Sequence, residues 1–340
     1  MVAYRRLDLL DSTTSPSKVA SHSDHKGSAQ GLATLEIETA PAIDRDELGG
    51  VPSSNVDVVD YYRETVEDYL RWSPKGYMHF GFWQPGTNPL DRNAMLEAMN
   101  DLVFEALRLE KPDRSNSTVR SSPMTIADLG CGLGAVSNYG SEKFPNHRFK
   151  AFTVSQEQVN FGRTMLANDR ATIDIGNFHE LPLEDNSIDA AFFLESICHS
   201  QTPELALAEA KRVLKPGGRL VVVDGLLNQT RERTSSRVKR LAGIVADNWA
   251  VPDFHALPDF HQAIDQAGLI VEDAREIGWN IVPCVAHSPW LVGTHAIKLA
   301  LRGELTAWKR KHLIACGLGV VLGMHRWSFG YHVLTMQKPA

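Results

Sequence analysis

Apolar positions first take up a sustained rhythm near residue 56. Val58, Val59, Tyr62, Val66, Tyr69 and Leu70 recur at three- and four-residue spacing with Asp, Glu and Arg between them, which predicts an amphipathic helix at the start of a folded domain. Residues 1–55 are rich in Ser, Thr, Asp, Gly and Pro and have no period, which predicts a disordered extension. Within it, Val2 to Leu10 is the stretch able to form a helical turn over a site. After the first helix comes an aromatic run, Tyr77 to Trp83, closed by Gln84-Pro85-Gly86. A second helical pattern follows from about Pro89 to Leu109, and the polar stretch Lys111 to Pro123 reads as a loop.

From Thr125 the chain alternates short apolar runs with helical periods. The predicted strands are Thr125 to Leu129, Phe149 to Val154, Ala171 to Ile175, Ile188 to Leu194 and Arg219 to Asp224. Helices are predicted over Gln156 to Ala167 and Pro203 to Leu214, the latter stopped by Lys215-Pro216-Gly217-Gly218. Ile270 to Ile277 and Tyr331 to Gln337 complete the sheet. The expected fold is α/β: a Rossmann-like, doubly wound, mostly parallel seven-stranded sheet with a helical region before it. Helical insertions near 231–250 and 289–323 are too long for simple connections and are placed to act as lids on the sheet's carboxyl edge. The domain so defined runs from 56 to 340.

Charge and cysteine content narrow the function. A net charge of -6 and a pI near 6.1 give no general attraction to nucleic acid, so no nucleic-acid partner is expected. Cys131, Cys198, Cys284 and Cys316 are far apart and form no C-x-x-C pair, so neither a zinc site nor a disulfide framework is expected. No metal site is predicted. The first residues lack a secretory apolar stretch, and the longest apolar run, Leu313 to Gly323, is about half of the ~20 residues a membrane span needs. A cytoplasmic protein without stable membrane insertion is expected; a homodimer is left open.

The strand–turn–helix Asp128-Leu129-Gly130-Cys131-Gly132-Leu133-Gly134 is the main candidate for ligand binding, since glycines let backbone approach a ligand closely. Alone it also fits a tight turn that binds nothing. A dinucleotide site would carry G-x-G-x-x-G and an acid at the end of the second strand, but here Ala135-Val136-Ser137 follows the last glycine and Thr153 stands at the strand end.

With these residues the chain, from about 60 to 340, resembles class I S-adenosylmethionine-dependent methyltransferases. Within them it is most similar to the branch of sterol C-24, tocopherol and prenyl-diphosphate C-methyltransferases. The glycine turn looks like the first motif of the superfamily. Thr153-Val154-Ser155 with Gln158 is similar to a T-(L/V/I)-S-x-x-Q sequence, His79-Phe80-Gly81-Phe82-Trp83 to an H-(Y/F)-G-(Y/F)-W motif, and Glu195-Ser196-Ile197-Cys198-His199 to an E-A-x-C-H segment. Tyr61-Tyr62 and Val213-Leu214-Lys215-Pro216-Gly217-Gly218 add to the likeness.

The resemblance implies S-adenosylmethionine as cofactor. Asp128, Gly130, Cys131, Gly132 and Gly134 would meet its methionine part, with Tyr62 and Glu195 also in the cofactor set. Thr153 and Gln158 would meet its ribose hydroxyls, and Val154 belongs to the same cofactor set. The Asn177 amide oxygen would accept from the adenine amino group, and Phe178 would stack on the ring or simply fill the core. Asn177 departs from the acid that the family often carries there.

Glu195 and His199 are candidate catalytic bases, on one face if the segment is helical. A helix cap and a packed histidine are their structural alternatives. His79 is the third catalytic candidate, or a packed histidine that fixes its loop. Phe80, Trp83, Trp249 and Trp279 are expected to line a hydrophobic substrate pocket suited to a carbocation, and Arg233 and Arg237 to clamp a diphosphate unless they belong to a solvated helix face. The expected reaction is C-methylation of an isoprenoid or related hydrophobic small molecule, with coupled cyclisation open. N- or O-methylation of a natural product or phosphobase, and a non-catalytic cofactor-binding scaffold, are the alternatives.

Overall fold

A near-continuous apolar run on the central strand explains the layers on either side of the sheet. The computed structural model describes residues 53–109 and 122–340, so most of the expectations for 1–55 and for the Lys111 to Pro123 loop lie outside the described residues. In β4 (Ile188–Leu194), Phe192 and Phe193 are both fully buried but point to opposite faces, as the two-residue period of a strand requires. Phe192 joins Ile126, Phe149 and Val221 under α2 (Arg92–Ala106). Phe193 joins Leu129, Val222, Leu207 and Phe260 under α5 (Pro203–Val213) and α7 (Leu257–Ala267). Full burial of a phenylalanine contributes about 1.5–3 kcal/mol, so this pair anchors both layers.

The other strands are β1 (Thr125–Leu129), β2 (Arg148–Thr153), β3 (Ala171–Ile175), β5 (Leu214–Leu227), β6 (Ile270–Glu276) and β7 (Phe329–Gln337). They lie in the order β3-β2-β1-β4-β5-β7-β6, with β1 to β5 parallel and β7 antiparallel to both of its neighbours. From β1 the chain winds outward to β3, then returns to β4 on β1's other side. The crevice between the carboxyl ends of β1 and β4 is therefore the switch point where an open sheet of this kind binds ligands.

Local chemistry sets the element ends. Asp91 caps α2 by accepting from the Ala94 N–H at 3.0 Å, which starts that helix later than the pattern suggested. Ser155 caps α4 (Gln156–Met165) by accepting from the Gln158 N–H. The predicted stop at Lys215 to Gly218 is absorbed into β5 as a bulge: Ile188 pairs with Leu214 and Ala190 with Arg219.

The lid is larger than the two predicted insertions. It comprises α6 (Ser236–Asn248), α8 (Gly278–Val285), α9 (Ser288–Arg302) and α10 (Ala307–Met324). Helix α10 packs against α6, α9 and the first helix, α1 (Ser53–Trp72), and so ties the lid to the helical region that precedes the sheet. Among the described residues, no helix is long and apolar enough to cross a membrane.

Candidate active site

The site grows from the loops after β1 and β4. Between β1 and α3 (Ala135–Lys143), Gly130 and Gly132 have φ of +84° and +54°. A Cβ on Gly130 would come within 2.5 Å of Ser196 Cβ, and one on Gly132 within 2.6 Å of Met78 Sδ. Only glycine makes this turn and keeps its inner side open. After β4, Glu195 holds a left-handed conformation with φ +51°, rare for a residue with a side chain. A short 3₁₀ turn, Ile197–His199, follows it. This corrects the helical reading of the segment: Glu195 and His199 do not sit one α-helical turn apart. The turn nevertheless delivers both to one place, since each lines both the groove beside the glycine turn and the large cavity under the lid.

The groove gathers most of the predicted cofactor residues: Tyr62, Asp128, Gly130, Cys131, Gly132, Thr153, Val154, Gln158, Asn177, Phe178, Glu195 and His79 line it together. Gly134 stands apart. It begins α3 with φ +70° and meets Ile173 rather than the groove.

Four details refine the expected contacts. Asp128 accepts from the Ser137 hydroxyl at 2.8 Å, and burial raises its pKa to about 7. Thr153 and Gln158 bond to each other, Thr153 Oγ1 donating to Gln158 Oε1 at 2.5 Å, which leaves the buried Gln158 Nε2 as a donor without a protein partner among the described residues. The Asn177 oxygen, expected to face adenine, instead accepts from the His179 N–H at 3.0 Å and lies 3.0 Å from His179 Nδ1, so the amide nitrogen is its free end. Phe178 lines the groove and packs edge-on against Phe193, so it faces ligand and core at once. The clearance at Gly130 and Gly132 and the orphaned Gln158 donor fit a nucleoside-bearing ligand with an extended tail.

Glu195 is held from two sides. Its Oε1 accepts from the Phe80 N–H at 2.6 Å and from the Tyr331 hydroxyl, and burial outweighs both bonds and lifts its pKa to about 8. His199 Nδ1 faces the Ala250 carbonyl at 3.2 Å and Nε2 faces the Tyr62 hydroxyl at 3.0 Å. A carbonyl only accepts, so Nδ1 carries the proton and Nε2 presents its lone pair to Tyr62. Burial lowers the His199 pKa to about 4 and keeps the ring neutral. His79 is also buried, with a pKa lowered to about 4; its Nδ1 donates to the Phe80 carbonyl at 2.9 Å and Asn100 lies beside the ring. It fixes the aromatic loop while lining the site.

Beyond this junction lies a cavity of about 690 Å³. Phe80, Trp249 and Trp279 line it as expected, together with Trp72, Phe254 and Tyr331. Two expectations fail here. Trp83 does not reach the cavity; its Nε1 donates to the Thr87 carbonyl at 2.9 Å and its ring packs on the core. Arg233 and Arg237 are exposed on and just before α6, away from the cavity, so they form no clamp there.

Sequence reasoning missed Tyr331, Asp224, Asp68, His295 and His312. Asp224, toward the carboxyl end of β5, accepts from the Cys198 and Gly225 N–H groups, and burial raises its pKa to about 6. The rule that ligands gather at strand carboxyl ends was a signal for Asp224. On the lid side, His295 Nε2 lies 2.5 Å from Asp68 Oδ1 and His312 Nδ1 lies 2.5 Å from the Tyr61 hydroxyl. No local pattern joins residues more than two hundred positions apart. Among the described residues, no group of three or more His, Cys, Asp or Glu is placed to hold a metal ion.

Comparison with known proteins agrees with this geometry. Residues 127–222 match a family model described as a methyltransferase domain. The chain is 28% identical to 24-methylenesterol C-methyltransferase 2 of Arabidopsis thaliana over 66% of its length and 57% of the relative's. It is 27% identical to the S-adenosyl-L-methionine-dependent Diels-Alderase iccD of Talaromyces variabilis, over 78% of this chain and 88% of that one. It spans about three fifths of the length of two of the curated relatives it matches. In fold it is similar to geranyl diphosphate C-methyltransferase from Streptomyces coelicolor, with a TM-score of 0.61 at 17% identity over 85% of this chain and 99% of that one. The glycine turn, the sheet order and these matches lead to one conclusion: residues 127–222 are a methyltransferase domain, set in a chain with the fold of the S-adenosylmethionine-dependent methyltransferases, and S-adenosylmethionine is its cofactor.

Proposed function

We propose that the chain methylates a carbon of an uncharged, largely hydrophobic natural-product molecule of isoprenoid type, such as a terpenoid or sterol-like alkene. The observation that carries this reading is the aromatic-walled cavity of about 690 Å³ that meets the glycine groove at Glu195 and His199. Asp128, the Gly130 to Gly132 backbone, Gln158 and Asn177 would hold the cofactor. Bound there, S-adenosylmethionine supplies an electrophilic methyl group.

Methyl addition to an alkene carbon leaves a carbocation. Aromatic faces attract positive charge, with about 0.5–2 kcal/mol per well-placed ring, and Trp72, Phe80, Trp249 and Tyr331 surround the space available to it. A proton beside a carbocation is strongly acidic, so even a weak base removes it. The unprotonated Nε2 of neutral His199, reached through the Tyr62 hydroxyl that donates to it, answers that need, while the Ala250 carbonyl holds the ring in its tautomer. Glu195 is the second base, kept at the junction by Phe80 and Tyr331.

The cavity's cations, Arg71 and Arg326, favour an uncharged acceptor over a prenyl diphosphate. Arg71 lies exposed, and Arg326 is paired with Glu276 at 2.7 Å and stacked over Trp279. One feature supports a second reading, O- or N-methylation: a carboxyl group titrating near 8 is well matched to a phenol or an amine.

The test supplies the purified chain with methyl-labelled S-adenosylmethionine and separate pools of sterols, terpenes, prenyl diphosphates, phenols and amines, followed by mass spectrometry. Label on carbon in the sterol or terpene pool is the expected result, and a new ring in that product would add coupled cyclisation. Label only on phenols or amines establishes the second reading. Cofactor binding without turnover on any pool would leave a binding scaffold. His199→Ala and Glu195→Gln should each lower turnover more than cofactor affinity.

A further inference from the structure

The outer surface of the lid has the reverse of the usual helix pattern. A surface helix normally turns its polar side to water. On α9 the buried positions are Ser288, His295 and Leu299, whereas Trp290, Ile297 and Leu301 face outward with exposures of 76%, 63% and 84%. These outward residues follow seven- and four-residue steps and form one stripe. Helix α10 repeats the arrangement: His312, Ala315 and Leu322 are buried, and Ile314, Val321 and Met324 are exposed. Trp327, just beyond α10, is 90% exposed. Two of the exposed residues, Trp279 and Met324, also line the large cavity, so the apolar surface and the cavity's rim are continuous.

Charge distinguishes what would cover this surface. Residues 278–327 contain six Lys and Arg against one acid, Glu304, a net charge of +5 in a chain of -6, so the rest of the chain carries -11. Arg302 and Arg310 stand exposed at the two ends of the α9–α10 turn. Two of the six cations are paired with acids outside this segment, Arg326 with Glu276 and Lys311 with Asp247, and the rest still leave the face basic, so a second copy docking lid to lid would set like charge against like. An anionic lipid surface meets both features: outward tryptophan and aliphatic side chains for the acyl boundary, and basic residues for the headgroups.

We propose that the α9–α10 face of the lid is a docking surface for an anionic phospholipid bilayer, lying on it without crossing it. Docking would set the rim at Trp279 and Met324 against the membrane, where a hydrophobic molecule enters the cavity without passing through water. The proposal is separable from the acceptor assignment, because vesicle binding is read without turnover.

The test is co-sedimentation of the full chain with vesicles of phosphatidylcholine containing about 30% phosphatidylserine, and with phosphatidylcholine alone. Wild-type protein should partition onto the mixed vesicles several-fold more than onto the neutral ones, and about 0.5 M salt should reduce the difference. The combined variant Trp290→Ala, Ile297→Ser, Leu301→Ser should lose at least about tenfold in partition. Arg302→Glu with Arg310→Glu, which leaves the apolar stripe intact, should abolish the preference for the anionic vesicles. Wild-type protein that remains in the supernatant overturns the proposal, as does a triple variant that sediments like wild type. A solution mass of twice 37.7 kDa that falls to the monomer in the triple variant also overturns it, and assigns the face to a second copy of the chain.

Discussion

Replacing Tyr331 by Phe removes one hydroxyl from the junction between groove and cavity and leaves the ring in place. That hydroxyl donates to Glu195 Oε1, which keeps the Phe80 N–H at 2.6 Å as its other donor. A hydrogen bond to a charged group contributes about 1.5–3 kcal/mol, and 1.36 kcal/mol corresponds to one pKa unit, so losing it raises the Glu195 pKa by about one to two units. The starting value is about 8. At about pH 7.5 the ionised fraction then falls from roughly one quarter to about 3% or less. If the Glu195 carboxylate is the working base, initial rates of methyl transfer at that pH fall about tenfold or more and recover to within about twofold of wild type near pH 10. The assay is a profile of turnover with labelled cofactor across this range. Glu195→Gln serves as the control, and it should have no such limb. A Tyr331→Phe loss that is the same at every pH, or no loss near pH 7.5, would refute the role given to Glu195 and leave His199 as the base.

Three more outcomes follow from the same geometry. Gly130→Ala forces a left-handed φ on a residue with a Cβ and drives that Cβ into Ser196, so it should cost about 2–5 kcal/mol of stability or distort the turn enough to abolish S-adenosylhomocysteine binding; calorimetry and urea unfolding read both. Gln158→Leu removes the orphaned donor and should weaken cofactor binding by about fivefold, near 1 kcal/mol, whereas unchanged affinity would mean that Nε2 does not face the ligand. Glu195, Asp128 and Asp224 all have carboxyl pKa values raised by burial, to about 8, 7 and 6, so the native state holds these protons after the unfolded chain has lost them. Their contribution is fully present below about pH 4 and is lost as pH rises through about 8, whereas the buried neutral His79, His199 and His312, lowered to about 4, add stability as pH rises to about 6.5; the carboxyl part is therefore read by difference, and from about pH 5 to pH 8 the wild-type urea midpoint should fall relative to that of Glu195→Gln with Asp128→Asn. An unchanged pH slope in that double variant would contradict the burial of these groups.

The sequence alone determined what depends on neighbours along the chain. Short apolar runs such as Phe149 to Thr153 and Ile188 to Leu194 define strands because β-branched and aromatic side chains fit a pleated, buried surface and a sheet covered on both faces needs no polar alternation. The glycine turn is legible because only glycine takes its backbone angles, and the Thr153 and Gln158 pair because it lies within one strand end and the helix that follows. Those features gave the sheet, the groove and the cofactor. Tertiary structure decided what depends on distance in sequence. Tyr331 comes to Glu195 by the antiparallel run of β7, and His295 comes to Asp68 because the lid helix α9 meets α1. Trp83 and the basic run had the right chemistry for the pocket, but the fold placed the ring on the core and the Arg233 and Arg237 side chains in water. Local pattern fixes which face of an element is apolar. Whether that face meets a core, a ligand or a lipid surface is set by long-range packing, and that is why the sequence placed α9 and α10 in a lid without showing which of their faces turns outward.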